Sequence, residues 1–199
     1  MRLPSLQARI ALAVLSFVAL APIGCAGVRQ TGDTYHDPNM DFGQIERIAV
    51  LPFANLSPVS QAGERVRDVF MGSLQATGSV YVLPPGEVAR GVTRARIAVP
   101  TSPTGDEVIA LGKELKADVV VTGTVREYGE VRSGNASANA VSVGVEMIET
   151  QSGKVVFSTS ATAGGISAAD RLLGGRGEPI SVVTEKAVRD VIDQMFAGH

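Results

Sequence analysis

Hydrophobic and polar positions follow three rhythms along this chain. From Ile10 to Ile23 nearly every position is apolar, interrupted by Ser16 and Pro22. From Ala26 to Asp41 there is no apolar period, and Gly27, Gly32, Asp33, His36, Asp37, Pro38 and Asn39 crowd the segment, a composition expected of a tether. Beyond Arg47 short apolar runs alternate with helical stripes. Arg47 to Phe53 is too short for a helix and ends at Pro52, which suits a strand buried on both faces. Ala62 to Thr77 sets Val66, Val69, Phe70 and Leu74 on one helical stripe, with Glu64, Arg65, Arg67 and Asp68 facing away. Ser79 to Leu83 reads as a short strand stopped by Pro84-Pro85-Gly86.

The second half continues in kind. Thr104 and Glu107 have the spacing of a capping box, and the helix they open runs to about Lys116, burying Val108, Leu111 and Leu115. Val119-Val120-Val121 marks a central strand within Asp118 to Val125. From Ala140 to Glu149, Val141, Val143, Val145 and Met147 alternate onto one face. Thr150-Gln151-Ser152-Gly153 turns the chain into a last strand, Lys154 to Thr159. A small-residue loop, Ala161 to Gly177, leads to a closing helix from Ile180 to Phe196 with Val183, Ala187, Val191 and Met195 toward the sheet. The expected fold is α+β: one domain with a mixed sheet of about five strands covered by about three helices.

Composition narrows the function. The 199 residues carry 18 basic and 20 acidic side chains, and the first 24 residues hold only Arg2 and Arg9 of these. Without those 24 residues the net charge is near −4, and no basic block can neutralise a run of phosphates, so nucleic acid is not an expected partner. Tryptophan is absent and aromatics make up 5%, which argues against a base-stacking or carbohydrate platform.

The first apolar run gains meaning from its ends. A basic start, an apolar core and the small residue Gly24 have the order of a signal peptide, and Cys25 follows at once as the single cysteine. This resembles the bacterial lipobox, in which the thiol is acylated and becomes the new N-terminus; Pro22 departs from it where an aliphatic residue is usual. A chance cysteine behind a plain signal peptide and an uncleaved anchor are the competing readings. The run falls short of the ~20 residues a membrane-spanning helix needs. Residues 1–24 are thus read as a lipoprotein signal peptide, 25–44 as the lipidated N-terminus and flexible tether, and 45–199 as the periplasmic domain. Cys25 is the expected lipidation site. One fatty chain holds a protein marginally and two or more hold it stably. Ala26, rather than Asp, after the cysteine points to the outer membrane under the sorting pattern of enteric bacteria.

Candidate chemistry is sparse. The two histidines are His36 in the tether and His199 at the end, so neither a nucleophile triad nor a metal set assembles from the sequence. No catalytic residue and no cofactor is expected. Gly164-Gly165 and Gly174-Gly175-Arg176-Gly177 lack the Lys-Ser or Lys-Thr of a phosphate loop. Glu146 and Glu149, three apart on a strand, point to opposite faces. The Asn55-Leu56-Ser57 and Asn135-Ala136-Ser137 sequons read as accidental beside a bacterial lipobox.

Arg47-Ile-Ala-Val-Leu-Pro-Phe53, Ala117 to Val125, Val143 to Phe157 with its turn, and Arg171-Leu-Leu-Gly before Glu178-Pro179 together resemble the CsgG-like envelope lipoproteins over most of residues 45 to 196. That group holds secretion channels and LpoB-type accessory lipoproteins, and its shared motifs are apolar strands and turns that specify architecture. The channels insert two hairpins into the membrane. Here Gly129 to Asn139 is short and polar and Ala161 to Gly177 is dominated by small residues and charges, so neither supplies the ~9 to 11-residue lipid-facing strands required. The resemblance implies a non-enzymatic, lipid-anchored outer-membrane protein that binds another envelope protein as an accessory or assembly factor, with those two segments as contact surfaces. The alternative is a subunit of an oligomeric export assembly, a homo-oligomer closer to the channels. A third reading, an enzyme or small-ligand binder, would need a pocket of convergent polar side chains.

Overall fold

The computed structural model describes residues 29–167 and 177–197. Its elements, in chain order, are β1 (Arg29–Thr31), β2 (Tyr35–His36), β3 (Arg47–Val50), β4 (Ala54–Asn55), α1 (Ala62–Ala76), β5 (Tyr81–Val82), α2 (Pro85–Arg94), α3 (Gly105–Leu115), β6 (Val119–Ser133), β7 (Ala136–Glu149), β8 (Val155–Gly164) and α4 (Ile180–Phe196). All eight strands join one sheet in the order β1-β8-β7-β6-β3-β5, with β2 also on β8 and β4 also on β6. The sheet is mixed: β3 runs parallel to β5 and β6, while β6, β7 and β8 form an antiparallel meander.

The two faces are covered differently. On one face α1 and α4 lay their apolar stripes over Val119, Val121, Val125, Val141, Val143, Val145, Met147 and Phe157, and Phe70, Leu74, Val183 and Val191 are buried between them. On the other face α2 and α3 bury Val88, Val108, Leu111 and Leu115 against Ala49, Leu51, Val120 and Ile148. That second cover stops there, and beyond Val120 and Ile148 no helix among the described residues packs on the same face of β6, β7 and β8. Side chains there are small or polar: Thr122, Thr124, Ser142, Gly144, Glu146, Ser158, Ser160 and Thr162.

The α+β class and the mixed sheet agree with the sequence reading, but the counts differ, with eight strands in place of about five and four α-helices in place of about three among the described residues. The unforeseen helix is α2, which starts where Pro84-Pro85-Gly86 suggested a stop. Pro85 occupies its first turn, where a missing N–H removes no helical hydrogen bond, and Val88 and Gly91 turn inward. Three of the added strands, β1, β2 and β4, are two or three residues long, too brief to show a period.

The segment expected as a tether is partly sheet. Arg29 to Thr31 pairs with Ala161 to Ala163, and Tyr35 and His36 pair with Ser158 and Phe157. The edge of β8 would otherwise expose unpaired backbone groups, and β1 and β2 satisfy them. Ordered structure therefore begins by Arg29, well before residue 45. His36, expected in the tether, packs edge-on between the Phe42 and Phe157 rings at 5.4 and 4.9 Å. Arg67 also departs from the reading: it turns back from α1 to donate to the Val50 carbonyl at 2.6 Å, and burial lowers its pKa.

The capping box forms as expected. Thr104 Oγ1 accepts from the Glu107 N–H, and the Glu107 carboxylate accepts from the Thr104 N–H at 2.7 Å. Those amide contacts hold the Glu107 carboxyl below its ordinary pKa. A lowered folded-state pKa stabilises the fold above the unfolded value, and the gain is lost as pH falls through the folded one. Thr104→Ala removes the hydroxyl that accepts from the Glu107 N–H and should lower the unfolding free energy by about 1 kcal/mol at neutral pH. The N–H of residue 104 survives that change, so it is Glu107→Gln whose gap from wild type should shrink toward the acid end of a urea-denaturation series.

Candidate functional site

Parallel sheets of this kind bind ligands where connections leave the central strand for opposite faces. Here α1 carries β3 to β5 on one face, and α2 and α3 carry β5 to β6 on the other, so the crevice would open past the end of β3. It is plugged. A Cβ on Gly123 would lie 2.7 Å from the Phe53 ring, and that ring stands 5.7 Å from Phe70. The Phe53 carbonyl closes on the first turn of α1, where a Cβ on Gly63 would come within 2.7 Å of it.

The open part of the second sheet face holds a polar cleft of about 200 Å³. Thr122, Thr124, Gly144 and Ser158 line it together with the Thr101-Ser102-Pro103 loop, and Arg126 and Glu146 supply the charges. Arg126 reaches it through a β-bulge. Val125 pairs with Val143 and Glu127 with Ser142, leaving Arg126 as the extra residue. Bulges re-aim side chains in this way. The guanidinium then lies flat over Gly144, where a Cβ would stand 2.8 Å from Nη2. Among the described residues, neither Arg126 nor Glu146 makes a side-chain hydrogen bond or ion pair. Glu149 lies apart, beside Asp37, Asn39, Ser152 and Lys154 in a second hollow of about 310 Å³.

The two expected contact segments are placed as follows. Gly129 to Asn139 is the outer part of a long β6–β7 hairpin whose register runs to Ser133 opposite Ala136. Its charges are exposed, and an Arg132 to Glu130 ion pair of 2.8 Å lowers the pKa of Glu130. From Glu127 outward, β6 has β7 as its single strand partner among the described residues. Ala161 to Gly164 is not loop but the end of β8, and residues 168–176 lie outside the described residues. Cys25 and His199 also lie outside them, as does residues 1–24 as a whole. Among the described residues no helix is long and apolar enough to cross a membrane, and no three His, Cys, Asp or Glu side chains gather as metal ligands. Asn55 is engaged locally: its side chain donates to the Val59 carbonyl and accepts from Ser57.

Sequence reasoning missed the cleft. Its trace is the alternation Ser142, Gly144, Glu146 against Ser158, Ser160, Thr162, small or polar on the face where a covered strand would be apolar. The bulge that delivers Arg126 leaves no mark of its own in the residue pattern.

No family model and no curated protein matches this chain. Solved structures do. PelC from Paraburkholderia phytofirmans, described as a dodecamer, superposes with a TM-score of 0.57 at 19% identity over 84% of this chain and 97% of that one. Lipoprotein GNA1162 from Neisseria meningitidis gives 0.54 at 21% identity over 77% and 99%. The LpoB C-terminal domain from Salmonella enterica reaches 0.47 at 12% identity, covering 64% and 87%, which is too distant to carry an argument. The CsgG name accordingly rests on the sequence resemblance alone, and what the comparisons establish is that this chain has the α+β fold found in PelC and GNA1162.

Proposed function

We propose that this chain is a non-enzymatic, lipid-anchored outer-membrane protein whose periplasmic domain works by binding another envelope protein as an accessory or assembly factor. The observation that carries the reading is Cys25 directly after an apolar run of signal-peptide length, in a chain whose fold is that of a solved lipoprotein. The second reading, a homo-oligomeric assembly subunit, is favoured by the dodecameric state of PelC. Mass measurement in detergent separates the two. A monomer or dimer supports the accessory protein, and a closed ring of many copies supports the assembly subunit.

Pairing of β1 gives the anchor a geometry. Three residues separate Cys25 from Arg29, so four steps of extended chain hold an acylated Cys25 within about 14 Å of the sheet edge, against ~50 Å for a tether of sixteen residues. Arg29 is level with Ala163 and Val141, so β1 begins at the end of the sheet nearer the β6–β7 hairpin tip. From Tyr128, opposite Val141, to Ser133 the hairpin extends about 17 Å further in that direction. An anchored domain therefore carries its hairpin tip at the bilayer surface. A fluorophore on Ser133→Cys should be quenched by headgroup-labelled lipid when Cys25 is acylated. Equal quenching in free and anchored protein would remove this orientation.

A further inference from the structure

The cleft on the second sheet face brings an exposed Arg126 and an exposed Glu146 together over a floor of threonine, glycine and serine. We infer that it is a binding site for a small zwitterion of dipeptide size, with a carboxylate on Arg126 and an ammonium on Glu146.

A guanidinium is a flat, permanently charged fork that matches a carboxylate with two parallel N–H donors. Arg126 lies over Gly144 with its sheet-side face covered, and the small floor residues leave the other approaches open. Glu146 is two residues along β7 from Gly144 on the same face, which sets their backbone positions about 7 Å apart along the strand. That spacing gives a simple anion on Arg126 no second contact, since the Glu146 carboxylate lining the same cleft repels it rather than holding it. It suits a molecule whose own opposite charges are separated by two residues of extended chain, about 7 Å. The hydroxyls of Thr122, Thr124 and Ser158 lie between the charged ends and can donate to or accept from a peptide amide. Glu127 follows Arg126 in the chain but does not line the cleft.

A surface ion pair would also place Arg and Glu near each other, yet among the described residues these two are not within salt-bridge distance. The β-bulge and the missing Cβ at residue 144 bring the guanidinium over the sheet without letting it close on Glu146.

Calorimetric titration of the detergent-purified full chain with Ala-Ala tests this, using N-acetyl-Ala-Ala and Ala-Ala-amide as probes lacking one charge each. Saturable Ala-Ala binding is expected, weakened about tenfold by loss of either charge. Arg126→Gln should abolish the preference for Ala-Ala over its amide while keeping the preference over the acetylated form, and Glu146→Gln should do the reverse. Gly144→Ala should weaken all binding by displacing the guanidinium. The three positions are on the open face, and unchanged thermal melts would confirm that the variants fold. Absence of saturation up to about 20 mM, a range that reaches affinities of only a few kcal/mol, would overturn the inference. Equal binding of the three probes, or variants with wild-type preferences, would overturn it too.

Discussion

Phe53→Ala should lower the unfolding free energy by about 3–5 kcal/mol, the cost of deleting a buried aromatic ring and leaving its space unfilled. Phe53 is 6% exposed and fills the point where a sheet of this topology would open to a ligand. Its ring rests on Gly123 at one side and meets Phe70 at the other, so the surrounding backbone has little freedom to collapse into the gap. A cavity of that kind is lined by apolar groups and stays dry. The variant should consequently bind benzene, which the wild type should not, and gain stability when benzene is present. Gly123→Ala makes the complementary test. Its new Cβ would overlap the ring and should cost about 1–3 kcal/mol on its own, whereas in the double variant the methyl enters the space Phe53 vacated. The two effects should then sum to more than the double variant loses, a coupling expected only for residues in contact. Urea denaturation of all four proteins reads it directly, and additive losses would show that Phe53 does not plug this crevice.

That plug also explains why the sequence is more informative about fold than about site. The long elements were legible because each has one covered face of constant period: α1, α3 and α4 follow their apolar stripes, and Val141, Val143, Val145 and Met147 follow the strand period on β7. Thr104 and Glu107 could be read as a helix start because both halves of the capping box are local. What escaped depends on partners distant in sequence. The short β1 and β2 are strands because β8 offers an edge more than a hundred residues later, and nothing in Gln30 or Tyr35 announces it. The outer half of the β6–β7 hairpin was read as too short and polar for lipid-facing strands. The structure shows strands with exposed charges, whose backbone pairing is independent of which solvent their side chains face.

The cleft escaped for a related reason. Its floor is a sheet face that no helix covers, and an uncovered face carries no hydrophobic signal. Arg126 reads in sequence as one more charged residue beside Glu127, and its position over Gly144 follows from one unpaired residue in the β6–β7 register. The third sequence hypothesis, an enzyme or small-ligand binder, asks for a deep pocket lined by convergent polar side chains. This cleft has a polar lining, and its two charged residues are exposed.

Replacing the thiol at the anchor should have the largest effect on where the protein works. In a chain exported behind an ordinary cleavable signal, Cys25→Ser should move the protein from the membrane fraction to the soluble periplasm. The physical basis is additive: each buried methylene contributes roughly 0.8 kcal/mol, so several acyl chains on one cysteine hold a domain that has no other apolar insertion, and their loss leaves nothing comparable. The described domain offers the bilayer only the β6–β7 tip, where Glu130, Arg132, Ser133 and Asn135 are exposed and Val131 is 36% exposed. Such a tip can rest on headgroups but cannot replace an acyl anchor. Intact-mass measurement of wild type from membranes should show acyl groups on a polypeptide beginning at residue 25. A wild-type mass without lipid would identify Cys25 as a chance residue behind a plain signal peptide. An unprocessed wild-type chain would identify residues 10–23 as the anchor instead. The first result would also free the hairpin from the bilayer, because its place there follows from an anchor only three residues before the first strand.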